Sequence, residues 1–306
     1  MNPLRFQPMT IAEIDQLPPL TWLIEDHLPQ EGLVVLYGPP ASGKTFVSLS
    51  MALAVACGAP WLGVKVRRPP TYTDVVYIYA EGTRGISKRV HAWVGAQEAA
   101  PNLRHFYAIP CAVGLTQDDE LREMVGQIKA RALRPCLIVV DTLARCFGGR
   151  DENSTQDMNK FVSNCDMLKQ ELLPGCALLI VHHTGKNATI GARGSSALLG
   201  AADVEWEVSK VKGTYDHLIL KNTKQKEREE FEPRSLLKFD VPGTTSATVR
   251  WAPELPAETE EKPAITWKHI IRNAYENNPK ISYTEAMEIS GKKHSVVCSF
   301  LKELRG

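Results

Sequence analysis

Apolar residues along the chain fall first into short unbroken runs, Leu33 to Tyr37, Val75 to Ala80, Phe106 to Ile109, Leu137 to Asp141 and Ala177 to His182, separated by stretches of helical character. A strand with one wet face alternates apolar and polar residues. Unbroken runs therefore predict strands covered on both faces, as in a mainly parallel sheet layered by helices. The expected fold class is α/β. After His183 the texture changes to alternating stretches, Val204 to Val211, Tyr215 to Leu220, Ser235 to Phe239 and Ala247 to Trp251, joined by polar turns such as Lys212-Gly213-Thr214. Alternation with polar turns predicts hairpins, an antiparallel extension of the same sheet.

The two ends of the chain read differently. Residues 1–31 are polar and punctuated by proline around an amphipathic piece at Trp22, Leu23 and Ile24, which predicts a lead-in segment packing on a neighbour or on the core. The expected core is 32–251. Residues 252–264, APELPAETEEKPA, hold almost no bulky apolar group and read as a linker. In 265–306, Trp267, Ile270, Ile271, Ala274 and Tyr275 share one helical face. Ser282-Tyr283-Thr284-Glu285 is a capping box for a second helix that Gly291 closes, and Val297, Phe300, Leu301 and Leu304 line a third. Three short helices with such a turn match a small helix-turn-helix or winged-helix module. Lys292 and Lys293 then open the third helix, where recognition helices meet DNA. Small three-helix tails also serve as protein docking modules, so both uses stand.

Composition narrows the picture. In 306 residues, 36 lysines and arginines nearly balance 35 aspartates and glutamates, a net charge of +1 with no global pull toward nucleic acid or membrane. Any DNA contact must come from local patches. The 7 cysteines are widely spaced with no CxxC pair, which predicts reduced core thiols in a cytoplasmic protein and argues against a disulfide frame or a zinc site. The strongest apolar run, Phe46 to Cys57, falls short of the roughly 20 residues needed to span a membrane. The N-terminus also lacks the apolar core of a secretory signal.

The chemistry concentrates where strands end. Gly38-Pro39-Pro40-Ala41-Ser42-Gly43-Lys44-Thr45 fits GxxxxGK[ST], directly after one apolar strand and opening an apolar helix. Phosphates need backbone N–H groups curled around them, hence small residues at a helix N-terminus. In such a loop Lys44 reaches the β- and γ-phosphates of ATP and Thr45 holds Mg²⁺. Leu137 to Asp141 is a buried strand delivering a carboxylate at its C-terminal end, a second Mg²⁺ contact through Asp141. The strand Val75 to Ala80 ends in Glu81, at the ligand edge of the sheet, where a carboxylate orients water in line with the γ-phosphate.

From Trp22 to Trp251 these motifs resemble the RecA/DnaB superfamily, and most of all the RepA-type plasmid and phage helicases. The resemblance implies a RecA-like P-loop NTPase core with Glu81 as the catalytic base. It implies that a polar residue ending the strand Ala177 to His182 senses the γ-phosphate, His183 first and His182 second; a histidine pair can also bind metal, but no partner at ligand spacing accompanies it. It implies a DNA-facing loop at Arg193, Gly194 and Ser195, small and basic as close approach to a backbone requires. Leu218 to Lys224 matches a stretch where DnaB-like enzymes carry Lys-Asn-Arg, residues that reach across a subunit interface to the transferring phosphoryl group. Here Thr223 replaces the arginine, leaving Lys221 with Lys224 as the finger, and Arg193 and Arg228 as alternatives.

The resulting expectation is a homo-hexameric replicative DNA helicase that hydrolyses ATP with Mg²⁺ to translocate on single-stranded DNA. The C-terminal module would contact DNA or replication proteins, with no role at a membrane. The rivals are a RecA-like recombinase or strand-annealing ATPase, and a nucleotide-switched DNA-binding regulator or loader.

Overall fold

A computed structural model describes residues 8–17, 19–80, 83–183, 196–252, 267–279, 281–290 and 294–305. The chain divides into two compact units, Met1–Glu254 and Leu255–Gly306.

In the first unit a short helix α1 (Ile11–Ile14) precedes a small antiparallel pair, β1 (Trp22–Ile24) and β2 (Leu28–Pro29). Leu23, Ile24 and Leu28 are fully buried, and Ile24 bridges to Val66, so this part of the lead-in segment packs on the core. The main sheet follows: β3 (Leu33–Gly38), β4 (Asp74–Tyr79), β5 (Phe106–Ile109), β6 (Pro135–Asp141), β7 (Ala177–His183), β8 (Val204–Lys210), β9 (His217–Gln225), β10 (Arg234–Asp240) and β11 (Ala247–Trp251). The order across its nine strands is β11-β10-β9-β8-β3-β7-β6-β4-β5. From β8 to β5 every pairing is parallel, and from β8 to β11 every pairing is antiparallel.

Strand residues sort by parity into two cores. Val34 and Leu36 of β3, Tyr77 of β4, Leu137 and Val139 of β6, Leu179 and Val181 of β7 and Trp206 and Val208 of β8 face helices α2 (Lys44–Cys57) and α3 (Thr83–Gly95). Their neighbours Val35, Ile78, Ile138, Val140 and Ile180 face α4 (Asp118–Ala130), α5 (Leu143–Cys146), α6 (Thr155–Met167) and α7 (Ala197–Ala201). This is why the central strands read as unbroken apolar runs, since neither face meets water. The Asp203 carboxylate accepts the Leu33 amide at 2.8 Å, pinning the start of β8 beside β3.

One expected boundary is corrected. The strand expected to stop at Leu220 runs on as β9 to Gln225, carrying Lys221 and Lys224 into the sheet. Cross-strand pairing explains it: Lys221 lies opposite Glu207 and Lys224 opposite Glu205, so opposite charges support the ladder where sequence alone shows a charged turn.

The second unit holds α8 (Trp267–Asn277), α9 (Tyr283–Ser290) and α10 (His294–Arg305) around Ile271, Ile281, Ala286, Val297, Phe300 and Leu301. Helix α9 is capped reciprocally: Ser282 Oγ accepts the Glu285 amide at 3.2 Å, and the Ser282 amide donates to the Glu285 carboxylate at 2.9 Å. Among the described residues, no helix is long and apolar enough to cross a membrane.

Candidate functional site

The site grows from the carboxyl end of β3. The chain leaves the strand at Gly38, turns through Pro39 to Ser42, and enters α2 at Lys44, with Gly43 at φ +94° as the helix cap. A β-carbon on Gly43 would stand 2.6 Å from Leu218 Cδ1, and one on Gly38 would stand 2.1 Å from the Val208 carbonyl. Both positions therefore need glycine for space, and Gly43 also for its left-handed backbone. The loop leads straight into the first turn of α2, the usual seat of a phosphate.

Lys44 is buried, and its ammonium donates to the Gly38 carbonyl at 2.9 Å and the Pro39 carbonyl at 2.8 Å. It also lies 3.2 Å from His183 Nδ1. An ammonium can only donate, so that ring nitrogen acts as the acceptor. Strand parity separates the two histidines. His183 follows Val181 on the α2 side of β7, whereas the buried His182 falls on the opposite side.

Asp141, at the end of β6, is buried and shares the parity of Leu137 and Val139, so it too stands on the α2 side. The Tyr77 hydroxyl donates to Asp141 Oδ2 at 2.8 Å and lies 2.8 Å from Ser48 Oγ on α2. Complete burial pushes the Tyr77 phenol well above its ordinary value, so it stays a neutral donor. Because its single proton points at Asp141, Ser48 must be the donor in the other bond. The chain Ser48, Tyr77, Asp141 thus ties the loop helix to the tip of β6. The Ala80 amide donates to the Asp141 carbonyl at 2.9 Å, which brings the end of β4 beside that tip.

An open cleft of about 880 Å³ lies over the loop. Its lining includes Ala41 to Phe46, Thr142, His183 and Leu218, together with three cations that sequence reading passed over, Arg89, Lys210 and Lys238. Arg89 comes from α3, hydrogen-bonds the Tyr79 hydroxyl and sits 5.1 Å over the Phe46 ring, with Lys238 5.9 Å from the same ring. A periodicity signal was present for the two lysines, because each occupies a core-facing phase of its strand. The residues present fit a magnesium nucleotide. Ser42 Oγ is buried with no hydrogen-bond partner among the described residues, as a hydroxyl reserved for a ligand would be. Thr45 and Asp141 supply the oxygen donors a hard cation prefers.

Other expected residues fall elsewhere. Lys221 and Lys224 do not line this cleft. Lys221 is exposed, and Lys224 donates to the carbonyls of Leu199 and Gly200 and lies 3.5 Å from the Glu205 carboxylate. Arg228 pairs with Asp26. Glu81, Arg193, Gly194, Ser195, Lys292 and Lys293 lie outside the described residues. No cluster that would hold a metal through three or more His, Cys, Asp or Glu occurs among the described residues.

Three comparisons bear on this arrangement. The family described as AAA domain matches residues 2–189. Among solved structures the chain is similar to one titled "Crystal structure of the RadB recombinase", at 15% identity and a TM-score of 0.48, over 68% of this chain and 87% of that one. No curated protein matches.

Proposed function

From the premise that this chain belongs to the AAA domain family, we propose that it is a RecA-like ATPase that moves on single-stranded DNA, working as a hexameric replicative helicase of the RepA type. The observation that carries the reading is the meeting of Lys44, His183 and Asp141 on one face of the sheet, at the carboxyl ends of the adjacent strands β3, β7 and β6. Ligands of open α/β sheets sit at that edge.

In this reading the loop from Gly38 to Thr45 wraps the β- and γ-phosphates with its amides and with Lys44. Thr45 and Asp141 would hold magnesium, which would supply positive charge beside the phosphoryl group. Tyr77 fixes the rotamer of Asp141 for that task. Glu81, immediately beyond β4, orients the attacking water. His183, in contact with Lys44 at the end of β7, registers whether the terminal phosphate is there and passes that state on to Arg193, Gly194 and Ser195, which hold the DNA backbone. A neighbouring subunit closes the site with the exposed Lys221, with Lys224 released to it from Glu205 on assembly, so turnover depends on assembly. The C-terminal helices, with Lys292 and Lys293, contact DNA or a replication partner.

The test is electron microscopy of the full chain with a non-hydrolysable ATP analogue and single-stranded DNA, paired with a strand-displacement assay. Closed six-fold rings that unwind a fork are expected. Helical filaments that pair strands without unwinding them would replace the helicase with a recombinase, and monomers with very slow turnover would leave a nucleotide-switched regulator.

A further inference from the structure

The α2-facing positions of the antiparallel extension change character toward the edge of the sheet that carries the phosphate loop. On β8 that face carries Val204, Trp206 and Val208, all buried, and the next position of the same parity is Lys210. On β10 it carries the buried Leu236, and the next is Lys238. Register sets Lys210 level with Leu236, so Lys238 stands two residues farther along in the same direction. Lys210 pairs with Leu218 of β9, Leu218 pairs with Leu236, and the Leu218 side chain abuts Gly43 at the head of α2. Both lysines therefore stand on the helix-covered face where the helix has ended and the cleft begins, and both line that cleft. A core-facing phase that breaks to a cation on two strands at once departs from the pattern that stabilises the fold, and such departures concentrate at binding sites.

Their place in the sheet says which end of a ligand they meet. Asp141 and His183 lie on β6 and β7, to one side of β3, whereas β8, β9 and β10 extend to the other. At the usual strand spacing Lys210 is displaced from β3 by roughly 5 Å and Lys238 by roughly 14 Å, both away from Asp141. A nucleotide with its terminal phosphate between Lys44 and Asp141 runs its other end toward them. Lys238 is held ready beside the Phe46 ring and 3.4 Å from the Asp216 carboxylate.

We propose that Lys210 and Lys238 form a second anion subsite, supplied by the same chain as the phosphate loop, that takes the α-phosphate end of the nucleotide. This rests on the ATP reading above and adds to it the residues that distinguish a nucleotide from bare pyrophosphate. The test uses the full chain and competition against a fluorescent nucleotide, with ADP, ATP and inorganic pyrophosphate as probes; pyrophosphate fills the loop and leaves the α-phosphate position empty. Lys210→Met and Lys238→Met keep the aliphatic stems and remove the charges. Each is expected to weaken ADP and ATP on the order of ten-fold, as loss of one charge-assisted hydrogen bond does, and to leave pyrophosphate unchanged. Lys238→Arg is expected to restore most of the affinity. Wild-type ADP affinity in both methionine variants would overturn the proposal, as would an equal loss for pyrophosphate, which would move the lysines to the terminal phosphates. If the unmutated chain bound none of the three probes, the ATPase reading itself would fail, a result distinct from either of these.

Discussion

Tyr77→Phe tests the link between the loop helix and Asp141 without opening a cavity, because the ring remains. The phenol lost is fully buried, donates to Asp141 Oδ2 at 2.8 Å and accepts from Ser48. A hydrogen bond to a carboxylate contributes about 1.5–3 kcal/mol net, and the Ser48 hydroxyl keeps the Thr45 carbonyl 3.3 Å away as an acceptor, so a stability loss of about 2–3 kcal/mol is expected from the carboxylate bond. For a unit of this size that corresponds to a fall in Tm of roughly 5–10 °C. Loss of a group that orients a metal ligand costs about 10–100-fold in metal affinity, so half-saturation of nucleotide binding should move to correspondingly higher Mg²⁺. Ser48→Ala, which leaves the Tyr77 to Asp141 bond in place, should cost only about 1 kcal/mol and barely move the Mg²⁺ requirement. Thermal melts and Mg²⁺ titrations of both variants provide the measurements. Were Tyr77→Phe to melt with the wild type and need no more Mg²⁺, the Ser48, Tyr77, Asp141 chain would have no part in holding the site.

Four further outcomes are expected. Glu81→Gln should retain ATP while losing most turnover, and unchanged hydrolysis in a steady-state assay would remove Glu81 from the reaction. Lys44→Ala should weaken ATP at least ten-fold in a direct binding titration, since it deletes a charge aimed at the phosphates. Gly43→Ala should destabilise more than Gly63→Ala: both glycines have positive φ, but an added β-carbon strikes Leu218 at Gly43 and nothing within 4 Å at Gly63, so equal urea midpoints would refute the crowding argument. Burial against Trp61 and Phe231 depresses His27 from 6.5 to about 4, so the unfolded chain binds a proton there that the folded chain refuses. Its contribution is complete above pH 6.5 and drains away as pH falls toward 4, by up to about 3 kcal/mol, and urea melts of His27→Phe should lose that part of the acid sensitivity.

The central strands were legible because the physics that buries them is local to the sequence. Leu33 to Gly38 and Pro135 to Asp141 are buried throughout, so apolar runs and strands coincide, and the glycines, Lys44 and Asp141 follow from where such strands stop. The choice between His182 and His183 was legible only as a preference, since strand parity had no reference point until Val181 was seen facing α2. Other features depend on partners remote in sequence. Lys224 reads as a free cation in its own neighbourhood, yet its ammonium is taken by carbonyls of α7 and by Glu205 across the strand. Likewise, Lys210 and Lys238 share a cleft only because β9 lies between their strands and brings both to the same edge of the sheet, and Arg89 joins them from a helix whose own pattern says nothing of Phe46.

The strand order has a consequence for how the chain reaches this state. β3 is complete by Gly38, but its two neighbours are β7 and β8, which begin at Ala177 and Val204. During synthesis the loop and the early strands must wait for most of the chain before any ladder flanks β3, and such distant pairings close slowly because a long stretch must be ordered before contacts reward it. A ribosome-bound fragment ending before Ala177 should therefore leave the head of α2 open to protease. Protection there should arrive abruptly, with the emergence of β7 and β8.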